Sequence, residues 1–387
     1  MTDFEKVIDF NNMYRAFRRS KRGKGYKKSA ARFDAAALDG IHTLIGQLKN
    51  KTYRVSRYAE FKVYEPKERT IQTASFKDKV VQHSLCDNVI MPRLGKVFLY
   101  DNCAAQKGKG TLFGLDRLRD QMQEFYRRYG YEGYILKCDI SKFFYNIRHE
   151  QLKDIVEYHF GYDPDVLWLC NQFIDSTESP GIPLGNQINQ GFALLYLDAM
   201  DKMIQWELGI EFYGRYMDDF YLIHPSKEYL KECRDAIAVF LETLGLQLNG
   251  KTQIFPFRNG ISYLGFHTYI APDGTPIRRL KNQNKRMPSG NFQGWRSWWR
   301  PGNCRERKWQ TPTEPGRITY PMETATDWGR PWMRKSKRLW RKQMFKVRHI
   351  DSGEVHTVYQ VSGTRFLIWQ GVWLWIDMNQ FEPVEEQ

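Results

Sequence analysis

The sequence lacks the features of a disulfide-rich, zinc-binding or membrane-spanning protein. Only six cysteines occur in 387 residues. They form no Cys-x-x-Cys pair and match no zinc-ligand spacing, so we expect reduced thiols. No apolar run approaches the roughly 18 residues of a membrane span, and residues 1–5 do not resemble a secretory signal. These absences predict a cytoplasmic protein without a membrane partner.

Acidic residues are also in deficit. The chain has 44 Asp and Glu against 59 Lys and Arg, a formal net charge of +15. Such an excess favours a polyanionic partner, nucleic acid before an anionic membrane, although it can serve solubility alone. Aromatic residues make up 15% of the chain, and aromatic side chains on a basic surface suit phosphate pairing combined with base stacking.

The hydrophobic periodicity divides the chain into four regions. Residues 1–133 are mainly helical, with helices predicted over residues 76–98 and 111–129 and a strand pair near residues 61–73. Residues 134–280 follow the order strand, helix, hairpin, helix, strand, and short strands at residues 254–255 and 262–266 close the region. This order predicts an α+β domain with an antiparallel sheet. Residues 281–344 are basic and rich in tryptophan, with little periodicity. Residues 345–387 alternate like the short strands of a small β module, for which a five-stranded barrel of the SH3 type is one candidate.

Two adjacent aspartates, Asp218 and Asp219, lie between two apolar, aromatic-rich runs that predict the strands of a hairpin. Adjacent carboxylates repel each other and are costly to hold beside apolar surface. A divalent cation removes both costs, and Mg²⁺ bound by one or two carboxylates and by phosphate is typical of nucleotidyl transfer. An Asp-Asp pair alone is more often an ordinary solvated turn.

A third carboxylate, Asp139, ends the apolar strand predicted over residues 134–138. A central strand that ends in Asp, next to a hairpin carrying Asp-Asp, can place carboxylates around two ions about 3.5–4 Å apart. One ion would lower the pKa of an attacking 3′-hydroxyl, and the other would neutralise the leaving pyrophosphate. Taken alone, an Asp in the position of Asp139 is more often a helix N-cap or a turn residue.

Five segments resemble the palm motifs of reverse transcriptases and occur along the chain in the order of those motifs. Two upstream segments resemble the fingers motifs of the same family. Each motif is weak alone, but the ordered set is specific. The resemblance covers about residues 30–280. It implies a right-hand polymerase, with an N-terminal extension and fingers in residues 1–133, a palm in residues 134–280, and an atypical thumb in residues 281–344. The palm segments are residues 137–144, 181–190, 216–219, 248–252 and 263–266; the fingers segments are residues 62–69 and 76–83.

The resemblance implies a catalytic role for four side chains and one backbone group. Asp139, Asp218 and Asp219 would bind two Mg²⁺ ions, for which Mn²⁺ is a substitute. The carbonyl of Ile140 would complete one coordination shell. Lys251 would donate a proton to pyrophosphate, unless it is only a cation at a helix C-terminus.

The resemblance also implies a nucleotide site and a primer grip. Lys67 and Arg69 would clamp the triphosphate, and Phe144 would exclude a ribose 2′-hydroxyl. Gly185 would let the backbone approach the nucleotide or template, and Gln190 would lie beside the nascent base pair. The alternatives without a binding role are a solvated charged turn at residues 67–69 and an ordinary core aromatic at residue 144. Three residues would brace the primer end: Tyr263, Leu264 and Gly265.

The implied function is RNA-directed DNA synthesis, in which dNTPs and a noncoding RNA template give a cDNA product. Within the family, the chain is most similar to bacterial or phage-encoded enzymes of diversity-generating retroelements and of phage defence. Gln190 fits the former, whereas Asn189 replaces their usual Ser, which favours defence. The alternatives are untemplated or protein-primed polymerisation by the same fold, and a non-catalytic RNA-binding subunit. The alternatives for the C-terminal module are binding of a structured RNA, contact with an accessory protein or a second copy of the chain, and simple capping of the thumb.

Overall fold

The structure is a computed structural model, and the chain divides into two compact units, Met1–Lys281 and Asn282–Gln387. The predicted thumb region, residues 281–344, lies outside the described residues, as does Lys67. The described residues are 1–64, 69–280, 345–350, 352, 354–362, 365–369, 373–377 and 381–383.

Helices build the N-terminal part of the first unit. Each buries an apolar face, and side chains of Thr2, Asp9 and Ser75 cap three of them by accepting backbone hydrogen bonds. The helix predicted over residues 76–98 is divided by a π-helical segment, Cys86–Ile90. The helices are α1 (Asp3–Ile8), α2 (Phe10–Lys21), α3 (Lys28–Ala35), α4 (Ala37–Lys49), α5 (Phe76–Leu85), α6 (Met91–Leu94) and α7 (Thr111–Tyr129).

The strand pair near residues 61–73 is confirmed as an antiparallel hairpin of β1 (Ala59–Val63) and β2 (Arg69–Thr73). After it, six helices accompany the strands of the predicted palm, and a second π-helical segment, Met203–Glu207, follows one of them. These helices are α8 (Phe143–Asn146), α9 (His149–Phe160), α10 (Pro164–Ile174), α11 (Gln187–Tyr196), α12 (Asp198–Lys202) and α13 (Lys227–Thr243).

A four-stranded antiparallel sheet forms the centre of the palm, which confirms the predicted α+β fold class. Its strand order is β4-β5-β3-β6, so β3 lies between β5 and β6. Helix α13 packs across β3, β5 and β6, and α7 packs against β4. The strands are β3 (Tyr134–Asp139), β4 (Phe212–Tyr216), β5 (Asp219–His224) and β6 (Gln253–Pro256).

The core beneath this sheet follows the periodicity of α7. Leu115, Leu118, Met122 and Phe125 are spaced by three or four residues, so they share one face of the helix and are fully buried. They pack on Tyr221 and other core residues of the palm. Complete burial of such an apolar side chain contributes about 1.5–3 kcal/mol, so α7 holds the hairpin of β4 and β5 firmly.

A three-stranded antiparallel sheet follows the palm sheet, in the order β7 (Ile261–Tyr263), β8 (Phe266–Ile270) and β9 (Pro276–Leu280). The sequence pattern predicts one strand through residues 262–266, and this is wrong. Leu264 and Gly265 have φ angles of 48° and 87°. Two consecutive positive φ angles make a tight two-residue turn, which divides the segment into β7 and β8.

The second unit contains a five-stranded antiparallel sheet in the order β13-β12-β11-β10-β14. This agrees with the strand pattern of its sequence, whereas the SH3 assignment stays a prediction. The strands are β10 (Phe345–His349), β11 (Val355–Ser362), β12 (Arg365–Trp369), β13 (Trp373–Asp377) and β14 (Phe381–Pro383).

Two expectations from composition concern the whole chain. Cys86, Cys103, Cys138, Cys170 and Cys233 are free and buried in the described part of the protein, and Cys304 lies outside that part. Across the same described residues, no helix has both the length and the apolar character needed to cross a membrane.

Candidate active site

The structure brings the three predicted aspartates to one end of the palm sheet. Asp139 ends β3 and lies directly opposite Asp219, the first residue of β5. Directly opposed residues of an antiparallel pair have Cβ atoms about 4.5–5.5 Å apart. Asp218 is in the turn before β5, where its carbonyl accepts a hydrogen bond of 3.2 Å from the N–H of Ile140. The hairpin predicted around Asp-Asp is therefore confirmed.

The turn has an unusual backbone conformation. Tyr216 pairs with Asp219, so Met217 and Asp218 are its two central residues. Met217 has a φ of 58°, in the left-handed region that costs a residue with a side chain about 1–2 kcal/mol. Surrounding contacts must therefore hold this conformation against the intrinsic preference of the chain.

Asp219 lies in a partly buried, electrostatically crowded position. Burial raises the pKa of its carboxyl to about 6, Lys137 opposes this rise, and the charges of Asp139 and Asp218 add to it. The Nζ of Lys137 is 3.1 Å from Oδ1 of Asp219. Lys137 precedes Asp139 by two residues, so strand alternation directs both side chains to the same face of β3. Lys137 is therefore a member of the site that the sequence argument missed.

Asn249 orients Asp139. Its Nδ2 donates a hydrogen bond of 3.0 Å to Oδ2 of Asp139, and its N–H donates one of 2.7 Å to the Asp139 carbonyl. The side chain of Asn249 also accepts a hydrogen bond from the N–H of Lys251 at 3.1 Å. Lys251 is exposed, and these bonds hold its loop beside Asp139, whereas its role as a proton donor stays a prediction.

The two adjacent phenylalanines after Asp139 have different environments. Phe143 is buried, with 2% exposure, and packs edge-on against Phe144 with ring centroids 5.4 Å apart. Phe144 is only partly buried, and its carbonyl accepts a hydrogen bond of 2.9 Å from the N–H of Ile182. Phe143 is thus the core residue, and Phe144 borders the segment that leads to Gly185.

The glycine turn lies beneath the fingers hairpin. Gly185 is exposed and has a φ of 94°, and a Cβ there would be 3.6 Å from Cγ2 of Ile71 on β2. Asn189 is fully buried, and its Nδ2 donates a hydrogen bond of 2.9 Å to the carbonyl of Pro183. Asn189 therefore fastens α11 to the turn, and Gln190 follows it, partly buried, on the same helix.

The predicted triphosphate clamp is described only in part. Arg69 opens β2 and pairs with Val63 in the hairpin, but its side chain and the whole of Lys67 lie outside the described structure. Their role stays a prediction.

The predicted primer grip is a hairpin turn whose first residue is in the core. Tyr263 is 1% exposed and packs edge-on against Tyr221, with ring centroids 5.1 Å apart. The turn itself is formed by Leu264 and Gly265. A Cβ on Gly114 of α7 would be only 3.2 Å from Cδ1 of Leu264, so close packing on α7 positions this turn.

Arg215 is a second residue that the sequence argument missed. Arg215 and Asp201 are both fully buried, and Nε and Nη2 of the arginine each donate a hydrogen bond of 2.6 Å to the carboxylate. Nη1 donates to the carbonyl of Met217 at 3.0 Å, and Nη2 donates to that of Leu194 at 3.3 Å. Arg215 therefore ties the strained turn to α11 and α12. An arginine in an apolar strand, directly before the turn, was the available signal.

The carboxylates suit a hard divalent cation, for which carboxylate and carbonyl oxygens are the preferred ligands. Oδ1 of Asp219 is buried; among the described residues it lies in the ion pair with Lys137 but accepts no hydrogen bond, which Lys137 instead donates to Oδ2. Within the same part of the chain, no three His, Cys, Asp or Glu side chains converge closely enough to enclose a metal by themselves. Any ion at this site would therefore need further oxygens, from the backbone or from a phosphate.

Comparison with known proteins agrees with this geometry. The family model described as reverse transcriptase (RNA-dependent DNA polymerase) matches residues 62–268, which is 207 of 387 residues. The chain therefore belongs to the reverse transcriptase family. The matched range includes the fingers hairpin, Asp139, the Gly185 turn and the Asp-Asp hairpin.

Among curated relatives, Protein P of duck hepatitis B virus (isolate white Shanghai duck S31) is 26% identical over 118 residues, 30% of this chain and 15% of that protein. Protein P of isolate brown Shanghai duck S5 is 27% identical over 118 residues, with coverage of 30% and 15%. The chain thus spans less than one fifth of the length of these relatives.

Solved structures of telomerase are also similar. The telomerase of Candida albicans, in complex with a TWJ fragment of telomeric RNA, has a TM-score of 0.46 and 14% identity, covering 60% of this chain and 46% of that chain. Apo telomerase from Candida Tropicalis has a TM-score of 0.44 and 13% identity, covering 59% and 52%.

Proposed function

We propose that this protein is an RNA-directed DNA polymerase that works by two-metal nucleotidyl transfer. The observation that carries the proposal is the register of the palm sheet, in which Asp139 faces Asp219 with Asp218 in the adjoining turn. A solvated turn has no need of a third carboxylate on the neighbouring strand. Membership of the reverse transcriptase family supports the same reaction.

Asp139, Asp218 and Asp219, with the carbonyl of Ile140, would hold two Mg²⁺ ions, or Mn²⁺ in their place. When bound, the ions supply the positive charge that activates a 3′-hydroxyl and neutralises pyrophosphate. The protein's own groups prepare this site. Lys137 offsets part of the charge on Asp219, and the hydrogen bonds from Asn249 set the orientation of Asp139.

The same proposal assigns the substrate contacts. Phe144 would limit the sugar to deoxyribose, while Gly185 and Gln190 would lie under the templating base pair. The position of Gly185 beside β2 and that of Gln190 on α11 support this assignment. Lys67 and Arg69 would bind the triphosphate, and Lys251 would protonate the leaving pyrophosphate. The primer terminus would rest on the turn after Tyr263, with contacts from Leu264 and Gly265.

Primer extension tests the reaction. The full chain, an RNA template, a DNA primer, Mg²⁺ and labelled dNTPs should give labelled DNA, and Asp218→Ala should abolish the incorporation. Asp235→Ala is a matched control, because Asp235 is an exposed carboxylate on α13 that pairs with Arg234. Incorporation that survives in Asp218→Ala would contradict the assignment of the site.

We further infer that the template is a noncoding RNA made from the same locus, in a bacterial or phage system for defence or for sequence diversification. The resemblance of the palm motifs supports this inference. Sequencing of the RNA and DNA that co-purify with the protein should give one dominant RNA and complementary DNA. DNA without complementarity to any bound RNA would instead support untemplated synthesis.

The sheet of β10–β14 supports a separate proposal for the C-terminal module, namely that it binds an accessory protein or a second copy of the chain. Light scattering of the purified full chain would measure this. A monomeric mass at every concentration would exclude self-association.

A further inference from the structure

The segment of residues 10–33, which spans α2 and most of α3, is strongly basic. Residues 10–33 contain nine Lys and Arg and no Asp or Glu. Two of the nine form ion pairs, Arg19 with Asp87 at 2.5 Å and Lys21 with Asp34 at 2.6 Å. Among the described residues, the other seven have no carboxylate at ion-pair distance. We call these seven the basic face: Arg15, Arg18, Arg22, Lys24, Lys27, Lys28 and Arg32.

Packing of α2 explains why this charge is directed to solvent. The apolar side of α2 is buried, and Phe17 packs edge-on against Phe76 of α5 with ring centroids 6.2 Å apart. The polar side and the loop of residues 22–27 are therefore outermost. In that loop Tyr26 is 82% exposed, which places an aromatic ring among the cations.

The basic face borders the fingers strand that covers the candidate nucleotide site. Burial lowers the pKa of Lys79, and the charges of Lys24 and Lys27 lower it further. The Nζ of Lys79 donates a hydrogen bond of 2.7 Å to the hydroxyl of Thr73, at the end of β2. Lys79 is thus bonded to the fingers hairpin and lies near enough to the loop for the charges of Lys24 and Lys27 to act on it.

From the end of β2 the contacts lead to the glycine turn. The N–H of Ala74 donates a hydrogen bond of 3.4 Å to Oδ1 of Asn186, the residue after Gly185. A second connection passes through Asp87, which pairs with Arg19 of α2 and accepts a hydrogen bond of 3.0 Å from Gln187 of α11. The contacts of Asp87 therefore fasten α2, which carries part of the basic face, to the start of α11, two residues after Gly185.

We propose that the basic face binds the single-stranded part of the RNA template, ahead of the Gly185 turn, through its phosphates and through stacking of a base on Tyr26. This inference rests on the proposed function. Cations combined with an exposed aromatic ring are the features that bind single-stranded nucleic acid. An amphipathic helix on a membrane would instead present its apolar side to the lipid, and in α2 that side is buried against α5.

Fluorescence anisotropy tests whether the basic face binds the template. The full chain is titrated against primer–template duplexes that differ only in the length of the RNA overhang. The wild type should bind the long overhang more tightly. The triple variant Arg22→Gln, Lys24→Gln, Lys27→Gln should lose most of that gain. The slope of log binding constant against log salt concentration should become less negative by about 2 in this variant, because each phosphate contact on a single strand contributes about 0.7 to that slope. The matched control is Lys49→Gln, Lys96→Gln, Lys231→Gln, which removes three exposed cations elsewhere.

Tyr26→Ala tests the stacking contact separately. It should weaken binding of the long overhang by about fivefold or more, the usual effect of losing one stacked base, and should leave the salt dependence unchanged. An overhang gain of wild-type size in the triple variant would overturn the proposal. So would equal losses in the triple variant and its control, or a triple variant that loses binding only to anionic phosphatidylserine vesicles.

Primer extension on the short-overhang duplex separates this proposal from the proposed function. The triple variant should extend that duplex at the wild-type rate, because its substitutions lie outside the aspartate site. A wild type that binds the long overhang through the basic face but extends no primer would refute the polymerase and leave the RNA-binding surface standing.

Discussion

Replacement of Arg215 by Met removes the cation beneath the Asp218 turn and leaves Asp201 without its partner. Both residues are fully buried, so water cannot solvate the remaining carboxylate. Loss of one partner from such a pair costs about 3–5 kcal/mol. We expect the free energy of unfolding of Arg215→Met to fall by about this amount, measured by urea denaturation of the full chain with far-UV circular dichroism.

The double variant Arg215→Met, Asp201→Leu separates stability from positioning. A buried ion pair replaced by apolar residues is often neutral or stabilising. The hydroxyl of Tyr213 and Nδ2 of Asn102 lose their acceptor on Asp201, and a buried donor left unpaired costs about 1–3 kcal/mol. Part of the lost stability should therefore return. The hydrogen bond to the carbonyl of Met217 stays absent, so the turn can relax from its left-handed conformation, and a displacement of this kind can lower a catalytic rate roughly 10²-fold.

Primer extension and urea denaturation of both variants would separate the effect of Arg215 on stability from its effect on the position of the turn. Arg234→Met is the matched control, since Arg234 is exposed and pairs with Asp235 at 2.8 Å, and such surface pairs contribute at most about 1 kcal/mol. Wild-type primer extension by the double variant would refute a positioning role for Arg215. A loss below about 1 kcal/mol in Arg215→Met would refute the argument from burial.

Three further predictions follow from local contacts. Phe144→Ala should increase ribonucleotide incorporation in primer extension, and an unchanged ratio of rNTP to dNTP use would contradict its role against the 2′-hydroxyl. Burial raises the pKa of Asp198 to about 6, from an ordinary 3.8, so its contribution to stability is complete below about pH 4 and is lost as pH rises through 6. Asp198→Asn should remove up to about 3 kcal/mol of that pH dependence, and urea midpoints that change with pH as in the wild type would contradict this. Gly114→Ala should destabilise the protein by about 1–3 kcal/mol, because its Cβ would be 3.2 Å from Leu264. Gly46→Ala is the control: a Cβ at Gly46 of α4 meets open space, so this change should stabilise the protein by up to about 1 kcal/mol. Thermal unfolding midpoints that shift in the same direction in both variants would contradict the packing argument.

The elements that sequence predicted best are those with strong local signals. Helix α7 has the predicted limits because its apolar residues recur with helical spacing and Gly110 and Gly130 flank it. Strand β3 and the Asp-Asp hairpin were equally clear, since apolar runs define them. The segment of residues 262–266 was misread because its apolar residues suit a strand, whereas Leu264 takes a positive φ that packing against α7 permits.

In the candidate site, too, residues within local motifs were predictable from sequence, whereas their distant partners were not. The aspartates and the glycine turn lie in short segments that a sequence motif reveals. Their supporting partners are distant in sequence: Asn249 is 110 residues from Asp139, and Lys137 is 82 residues from Asp219. Only pairing of the strands shows these contacts, because no local pattern relates such residues.

The sequence by itself determined the α+β class, the three aspartates and their order along the chain, because periodicity and motif spacing are local properties. The tertiary structure alone decided which of Phe143 and Phe144 is in the core, how Arg215 and Asp201 hold the Met217 turn, and where the basic face lies relative to Gly185. The physical reason is that burial and ion pairing depend on which distant elements pack together.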